Sequence, residues 1–140
     1  MVLGKFIRVT MFLIAVAAFS CEEPLIINCE DCLYEEPVEA SLNIKVTSGW
    51  QRSRVLISIY EGDLEENILF HSFEISGSET SYSVPLNKKY TLTATYSGQS
   101  ATYTTVDSVV PRVKFDDQQC DNTCFYIYDN NVNLELKSSI

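Results

Sequence analysis

From Ala40 onward the apolar residues of this chain recur at every second position, and a period of two gives a segment one apolar and one polar face only when the backbone is extended. Leu42, Ile44 and Val46 alternate with Asn43, Lys45 and Thr47. Val55, Ile57 and Ile59 form a second such row, running into the turn-forming Glu61-Gly62-Asp63. A third runs from about Ile68 to Ile75 and assigns Leu69, His71, Phe73 and Ile75 to one face. Ser76-Gly77-Ser78 then reads as a hairpin connection in which the glycine supplies positive φ. Tyr82, Val84 and Leu86 share a face of the fourth segment, Asn87-Lys88 turns, and Tyr90, Leu92, Ala94 and Tyr96 share a face of the fifth, which Ser97-Gly98-Gln99 ends. The sixth, Ala101 to Val106, is rich in Thr and suits a half-exposed sheet. Val109 to Phe115 is a less favourable strand, because Pro111 is tolerated only on an edge or at a bulge. Phe125 to Tyr128 and Val132 to Leu136 flank Asp129-Asn130-Asn131, a turn of residues that tolerate left-handed backbone. No segment shows a helical period.

About seven or eight short strands with turns between them specify an all-β fold in which two antiparallel sheets pack face to face as a sandwich. Within residues 55–98, Tyr82, Val84, Leu86, Tyr90, Leu92 and Ala94 form the pattern Y-x-V-x-L-x-x-x-Y-x-L-x-A. This stretch resembles the prealbumin-like or carboxypeptidase-regulatory type of sandwich, in which such a hairpin recurs. The resemblance implies an immunoglobulin-like accessory module, a scaffold that hosts many functions and identifies none.

Ahead of this domain, Lys5 and Arg8 precede an apolar run from Val9 to Phe19 broken only by Thr10. The run suits a signal-peptide core and falls short of the ~20 residues that a bilayer-spanning helix needs. It ends in Ala18-Phe19-Ser20-Cys21, with a small residue directly before the cysteine. That arrangement resembles the lipobox of bacterial lipoproteins, with Ala18 in place of the usual Leu and a bulky Phe19 at the second position. The resemblance implies that residues 1–20 are removed as a signal peptide and that Cys21 becomes a diacylglyceryl N-terminus, usually with an added palmitate-type N-acyl chain. Two or more chains anchor stably where one does not. The competing reading is an ordinary secretory signal cut near Ser20, with Cys21 left as a free thiol.

The chain carries 10 basic against 19 acidic residues, a net charge of −9, and loss of Lys5 and Arg8 with the signal takes this to −11. Nucleic acid is therefore excluded as a partner, because displacing counterions from phosphates requires a surplus of Lys and Arg. Glu22, Glu23, Glu30, Asp31, Glu35, Glu36 and Glu39 stand in the span to Glu39 with no Lys or Arg between them. Such a block repels itself and stays solvated. The organisation expected is a signal peptide over 1–20, a lipidated acidic tether over 21–39 and a β-sandwich domain over 40–140. Acidic residues directly after a lipidated cysteine also resemble the export signal that sends some Gram-negative lipoproteins to the outer face of the outer membrane.

With Cys21 assigned to lipid, Cys29, Cys32, Cys120 and Cys124 remain, an even number in an exported chain and the arithmetic of a disulfide framework. Crossed pairing between Cys29/Cys32 and Cys120/Cys124 would tie the end of the tether to the approach of the last hairpin. Each such closure contributes about 4 kcal/mol by chain entropy, and two do not simply add. Local pairing, Cys29 with Cys32 and Cys120 with Cys124, closes tiny loops and stabilises less. Two readings of the same residues compete: a four-thiolate zinc site built from C-x-x-C and C-x-x-x-C, and a redox pair at Cys29-Glu30-Asp31-Cys32. The redox reading is disfavoured by Glu30 and Asp31, which raise a thiol pKa where thiolate chemistry needs it lowered. The disulfide framework requires no metal and no cofactor.

The other candidate sites are weaker as chemistry. His71, the single histidine, lies between Phe70 and Ser72 on an alternating strand, where a sheet role outweighs that of a catalytic base. Asp63/Glu65/Glu66 and Asp116/Asp117/Asp121 are oxygen-rich clusters of the kind that can bind Ca²⁺, but neither has the ligand spacing of an EF-hand, and both read as solvated turns. Tyr60, Tyr82, Tyr90, Tyr96, Tyr103, Tyr126 and Tyr128 fall on strands or at their ends. Rings with polar tips suit protein or sugar surfaces, although sheets favour Tyr in any case. Trp50, Tyr60, Tyr96, Tyr103, Tyr126 and Tyr128 are the candidate contact aromatics, with Trp50, in the loop after the first strand, more favoured as a cap on the core.

The function expected from these residues is that of a non-enzymatic cell-envelope lipoprotein, attached to the bilayer through Cys21 at the outer membrane, whose domain binds or supports an envelope protein or glycan. The alternatives are a glycan-binding accessory lipoprotein, which needs a row of exposed aromatics on one sheet, and a thiol-redox or zinc protein, which needs reduced and accessible cysteines.

Overall fold

The computed structural model describes residues 26–48 and 54–137; residues 1–20, expected to be a signal peptide, and Cys21 and Trp50 lie outside the described residues. Nine strands make up the described fold: β1 (Glu39–Lys45), β2 (Val55–Glu61), β3 (Leu69–Ile75), β4 (Glu79–Pro85), β5 (Tyr90–Ser97), β6 (Thr102–Val109), β7 (Arg112–Asp116), β8 (Cys124–Tyr128) and β9 (Asn131–Asn133). Two short 3₁₀ turns, Cys29–Asp31 and Leu64–Glu66, are the helical elements among the described residues. The strands form a three-stranded sheet in the order β4-β1-β9, a four-stranded sheet in the order β3-β2-β5-β6 and a two-stranded sheet, β7-β8.

The alternation becomes burial. Ala40, Leu42 and Ile44 of β1 are buried while their neighbours are exposed, and Val55, Ile57 and Ile59 of β2 point inward against Tyr96, Ala94 and Leu92 of β5. One core joins the inner faces of the larger two sheets, with Val84, Tyr90, Val109, Val132 and Leu134 completing it. This is a β-sandwich arrangement, and hydrophobic burial between the sheets is its main source of stability. The interior strand β5 is buried over most of its length, Thr91 and Thr93 included.

Connectivity departs from the sequence expectation in several places. Ser76-Gly77-Ser78 does not join a paired hairpin, because β3 pairs with β2 and β4 with β1, so the chain crosses from one sheet to the other there. Among the described glycines the one with positive φ is Gly62, at 82°. A side chain at Gly62 would meet the Glu66 carboxylate as well as an unfavourable backbone region. The Tyr82–Ala94 pattern is likewise split between sheets: Asn87, at φ 61°, turns the chain from β4 to β5, which are not partners. Pro111 ends β6 and precedes β7 instead of lying inside one strand.

The expected final hairpin is also absent. β8 pairs with β7, and β9 lies parallel to β1, through Asn43↔Asn131 and Ile44↔Val132. Left-handed backbone at Asp129, φ 53°, makes the break between β8 and β9.

The alternation on β3 is interrupted as well. Ile59 pairs with His71 and Tyr60 with Leu69, which leaves Phe70 as the extra residue of a bulge. Leu69 therefore leaves the face it was expected to share with His71, and Phe70 swings toward Tyr82 and Tyr90, with ring centroids 6.3 and 5.7 Å away.

Candidate functional site

The segment before β1 is fastened to β7 and β8. Cys29 is bonded to Cys120 and Cys32 to Cys124, across sequence separations of 91 and 92 residues. Of the three pairings open to these four cysteines, one of the two crossed ones is present.

Local sequence places each partner. Asn28 caps the 3₁₀ turn: its side-chain oxygen accepts from the Glu30 N–H at 3.3 Å and its carbonyl accepts from the Asp31 N–H at 3.0 Å. This short-range bonding is what Asn favours at a turn. It brings Cys29 and Cys32 to the same end of the β7–β8 sheet. On the other side, the Asp116 carboxylate accepts from the N–H groups of Gln118 and Gln119, at 2.9 and 2.7 Å, and folds the start of the loop that carries Cys120. Those two bonds, Gln119 first, hold the Asp116 carboxyl below the usual carboxylate range.

Three further contacts complete the attachment. Leu33 and Phe125 exchange backbone hydrogen bonds of 2.8 and 2.9 Å, so the segment adds an antiparallel bridge to the free side of β8. The Ile27 N–H donates to the Gln119 side chain at 3.3 Å. Ile27 itself packs with Cys124 and Tyr126 in a second small core, against which Cys32, Cys120 and Tyr128 lie. Tyr126 Oη is buried there with no hydrogen-bond partner among the described residues.

The sulfurs form one cluster. Cys32 Sγ and Cys120 Sγ, from different disulfides, are 3.7 Å apart, and the sulfurs of Cys32, Cys120 and Cys124 all lie within 4.8 Å of one another. Each is already engaged in a disulfide, so the geometry offers no thiolate for the four-thiolate zinc reading. Exposure is graded across the cluster: Cys29 is exposed, Cys32 and Cys120 are half-buried and Cys124 is fully buried. A pocket of about 160 Å³ opens beside them, lined by Tyr34, Asp121, Asn122 and Thr123 as well as Cys29, Cys32 and Cys120.

The aromatic candidates do not form one surface. Tyr96 is wholly buried, as is Tyr90, and Tyr126 nearly so, because these positions face the two cores; they are not contact residues. Tyr60, Tyr103 and Tyr128 are half-buried. Tyr60 lies on the outer face of the four-stranded sheet, Tyr103 lies opposite Tyr96 against the main core, and Tyr128 lies beside Tyr126 on β8. Tyr34, which the strand pattern does not single out, is 77% exposed beside the disulfides.

His71 stacks on Tyr82 at 4.6 Å, and Phe73 stacks on the same ring at 5.6 Å. These rings lie along the flank between β3 and β4, and His71 is an exposed residue of strand β3, in line with the sheet position expected of it. In the acidic clusters, Asp63 pairs with Lys89 and Asp116 is occupied by backbone N–H groups.

Compared with known proteins, the chain matches no family model, no curated protein and no solved structure. What sequence reasoning missed at this site is the support around the disulfides from Gln119 and the Leu33–Phe125 bridge, whereas Asp116 falls in a segment already read as a turn. An Asp followed at short range by loop residues is a turn signal that identifies Asp116, whereas a one-residue bridge leaves no periodicity to read.

Proposed function

We propose that the chain is a cell-envelope lipoprotein, held at the outer membrane through acylated Cys21, whose β-sandwich is of the immunoglobulin-like, prealbumin-like kind and acts as a non-catalytic binding or structural module. The observation that carries this reading is the crossed pair of disulfides, Cys29–Cys120 and Cys32–Cys124. Disulfides persist in oxidising compartments and are rare in the cytoplasm, which agrees with the export signal read at residues 1–21. The pairing also fits the anchor: the chain emerging from Cys21 meets a covalent junction at Cys29, and the rest of the domain is folded behind it. The partner is an envelope protein or glycan, met at the surface of the sandwich.

Metabolic labelling with an alkyne palmitate analogue tests the anchor. The wild-type chain takes up label and sediments with outer membranes, and Cys21→Ser removes the label and shifts the protein to the soluble envelope fraction. An unlabelled, uncleaved chain recovered from the cytosol overturns the proposal. Protease shaving of intact cells then assigns the face on which the domain stands.

A further inference from the structure

The two disulfides touch, and they differ in access. Cys29 is the most exposed residue of the four; the sulfur at the other end of its bond, Cys120 Sγ, lies 3.7 Å from Cys32 Sγ. Cys32 is in turn bonded to Cys124, which is fully buried. An external thiolate attacks the disulfide sulfur it can reach, and the other sulfur leaves as a thiolate. Attack at Cys29 therefore leaves the thiolate on Cys120, 3.7 Å from a sulfur of the second disulfide.

We propose that the cluster is a thiol–disulfide exchange site whose favoured entry is the Cys29–Cys120 bond, which carries the most exposed cysteine, and that it has a second disulfide isomer, Cys32–Cys120. The steps balance. A thiolate of an external dithiol bonds to Cys29 Sγ, the Cys29–Cys120 bond breaks, and its electron pair stays on Cys120. Cys120 then bonds to Cys32, the Cys32–Cys124 bond breaks, and Cys124 leaves as a thiolate that takes up a proton. The second thiol of the dithiol, as its thiolate, attacks the external sulfur on Cys29 and releases Cys29, which is protonated. The dithiol ends as a disulfide, oxidised by two electrons, and the protein ends with one disulfide fewer and the remaining one relocated.

The same contact bears on how the native pairing arises. The cysteines closest in sequence are Cys29 with Cys32 and Cys120 with Cys124, and an oxidant acting on a nascent chain joins such neighbours readily, since short loops close at low entropic cost. Conversion of those local bonds to the native crossed pair needs exchange between the two pairs, and the Cys32–Cys120 contact is where the sulfurs of both meet. The external reactant is a dithiol of the disulfide-reductase or isomerase class. Glu30, Asp31 and Asp121 beside the entry cysteines repel anionic thiolates.

The full purified chain tests this directly. Free thiols are first blocked under native conditions, dithiothreitol is added in limiting amount, the reaction is quenched in acid, newly released thiols are alkylated, and the remaining disulfides are mapped by mass spectrometry. The expected course is loss of Cys29–Cys120 at least about tenfold faster than direct loss of Cys32–Cys124, followed by a one-disulfide species linked Cys32–Cys120 with alkyl groups on Cys29 and Cys124. In Cys120→Ser that species is impossible and Cys32–Cys124 persists under the same limiting reductant. In Cys124→Ser, Cys120 divides between Cys29 and Cys32. Both variants keep a long-range disulfide, and near-native circular dichroism confirms that they fold. Opening of Cys32–Cys124 first, or one-disulfide species that never contain Cys32–Cys120 in the wild type or in Cys124→Ser, overturns the proposal. Reduction by a cationic aminothiol is also expected to be faster than by a sulfonated thiol of similar strength, and equal rates remove the role assigned to the acidic residues.

Discussion

The hydroxyl of Tyr96 donates a 2.6 Å hydrogen bond to the Leu134 carbonyl and accepts one from the Thr47 N–H at 3.1 Å. Tyr96 belongs to the four-stranded sheet, while Thr47 and Leu134 follow strands of the three-stranded sheet, so one buried oxygen links the two layers. Tyr96→Phe keeps the ring and removes that link. The Leu134 carbonyl retains the Thr105 hydroxyl at 2.7 Å, so the main loss is the partner of the Thr47 N–H. The Thr47 N–H is partly buried, and a fully buried donor left unpaired costs about 1–3 kcal/mol, which sets the upper range here. Urea unfolding is expected to show a destabilisation of up to that size with an unchanged m-value.

The two disulfides are expected to contribute unequally according to the order in which they are removed. Either bond alone closes a loop of 91 or 92 residues, worth about 4 kcal/mol by chain entropy. Once one is in place, the other closes only the short ring through Cys29–Cys32 and Cys120–Cys124, worth about 2–3 kcal/mol. Cys29→Ser/Cys120→Ser should therefore cost less than full reduction by more than half, as read by denaturation of the oxidised variant against the reduced wild type. Equal steps would show that the unfolded chain is not described by loop entropy.

Alkaline stability is expected to report Tyr90. Burial first, then the charges of Glu61 and Glu39, push its phenol from 10.0 up to about 12. Its hydroxyl donates to the Pro85 carbonyl at 3.1 Å. A pKa raised in the folded state means that the neutral form is favoured there. The contribution is complete below pH 10.0 and is lost as pH rises toward about 12. Unfolding midpoints measured from pH 8 to pH 12 should fall over that window, and the fall should flatten in Tyr90→Phe.

Acid is expected to loosen the loop before Cys120. The Asp116 carboxyl is held below its usual value by the N–H groups of Gln119 and Gln118. A depressed pKa contributes above the unfolded value and is lost as pH falls through the lowered folded one. Amide exchange at Gln118 and Gln119 should quicken on acidification relative to intrinsic rates. Asp116→Asn should show the same loosening at neutral pH, leaving β1 to β6 unaffected.

At Gly62 a side chain is disfavoured by the φ of 82°, while the Glu66 carboxylate it would meet is the end of a flexible, exposed side chain that can move aside. Gly62→Ala is expected to destabilise by about 1–2 kcal/mol, checked by thermal unfolding; Gly77→Ala, with ordinary van der Waals contact only, should be close to neutral.

The period-two rows, the residues of the main core and the turns at Gly62, Asn87 and Asp129 are legible in the chain, because alternation and left-handed backbone are local properties of a few neighbouring residues. The even count of cysteines after Cys21 is legible too, but it leaves several pairings open. Tertiary structure decided which strands are neighbours: β3 and β4 part into different sheets and β9 returns parallel to β1, because pairing joins residues that no local pattern connects. It also chose Cys29–Cys120 and Cys32–Cys124 by bringing β7, β8 and the segment before β1 together, and it buried Tyr96 and Tyr126 while leaving Tyr34 outside. A side chain's type states what it can do, but only its neighbours in space determine whether it meets water, a ring or another sulfur.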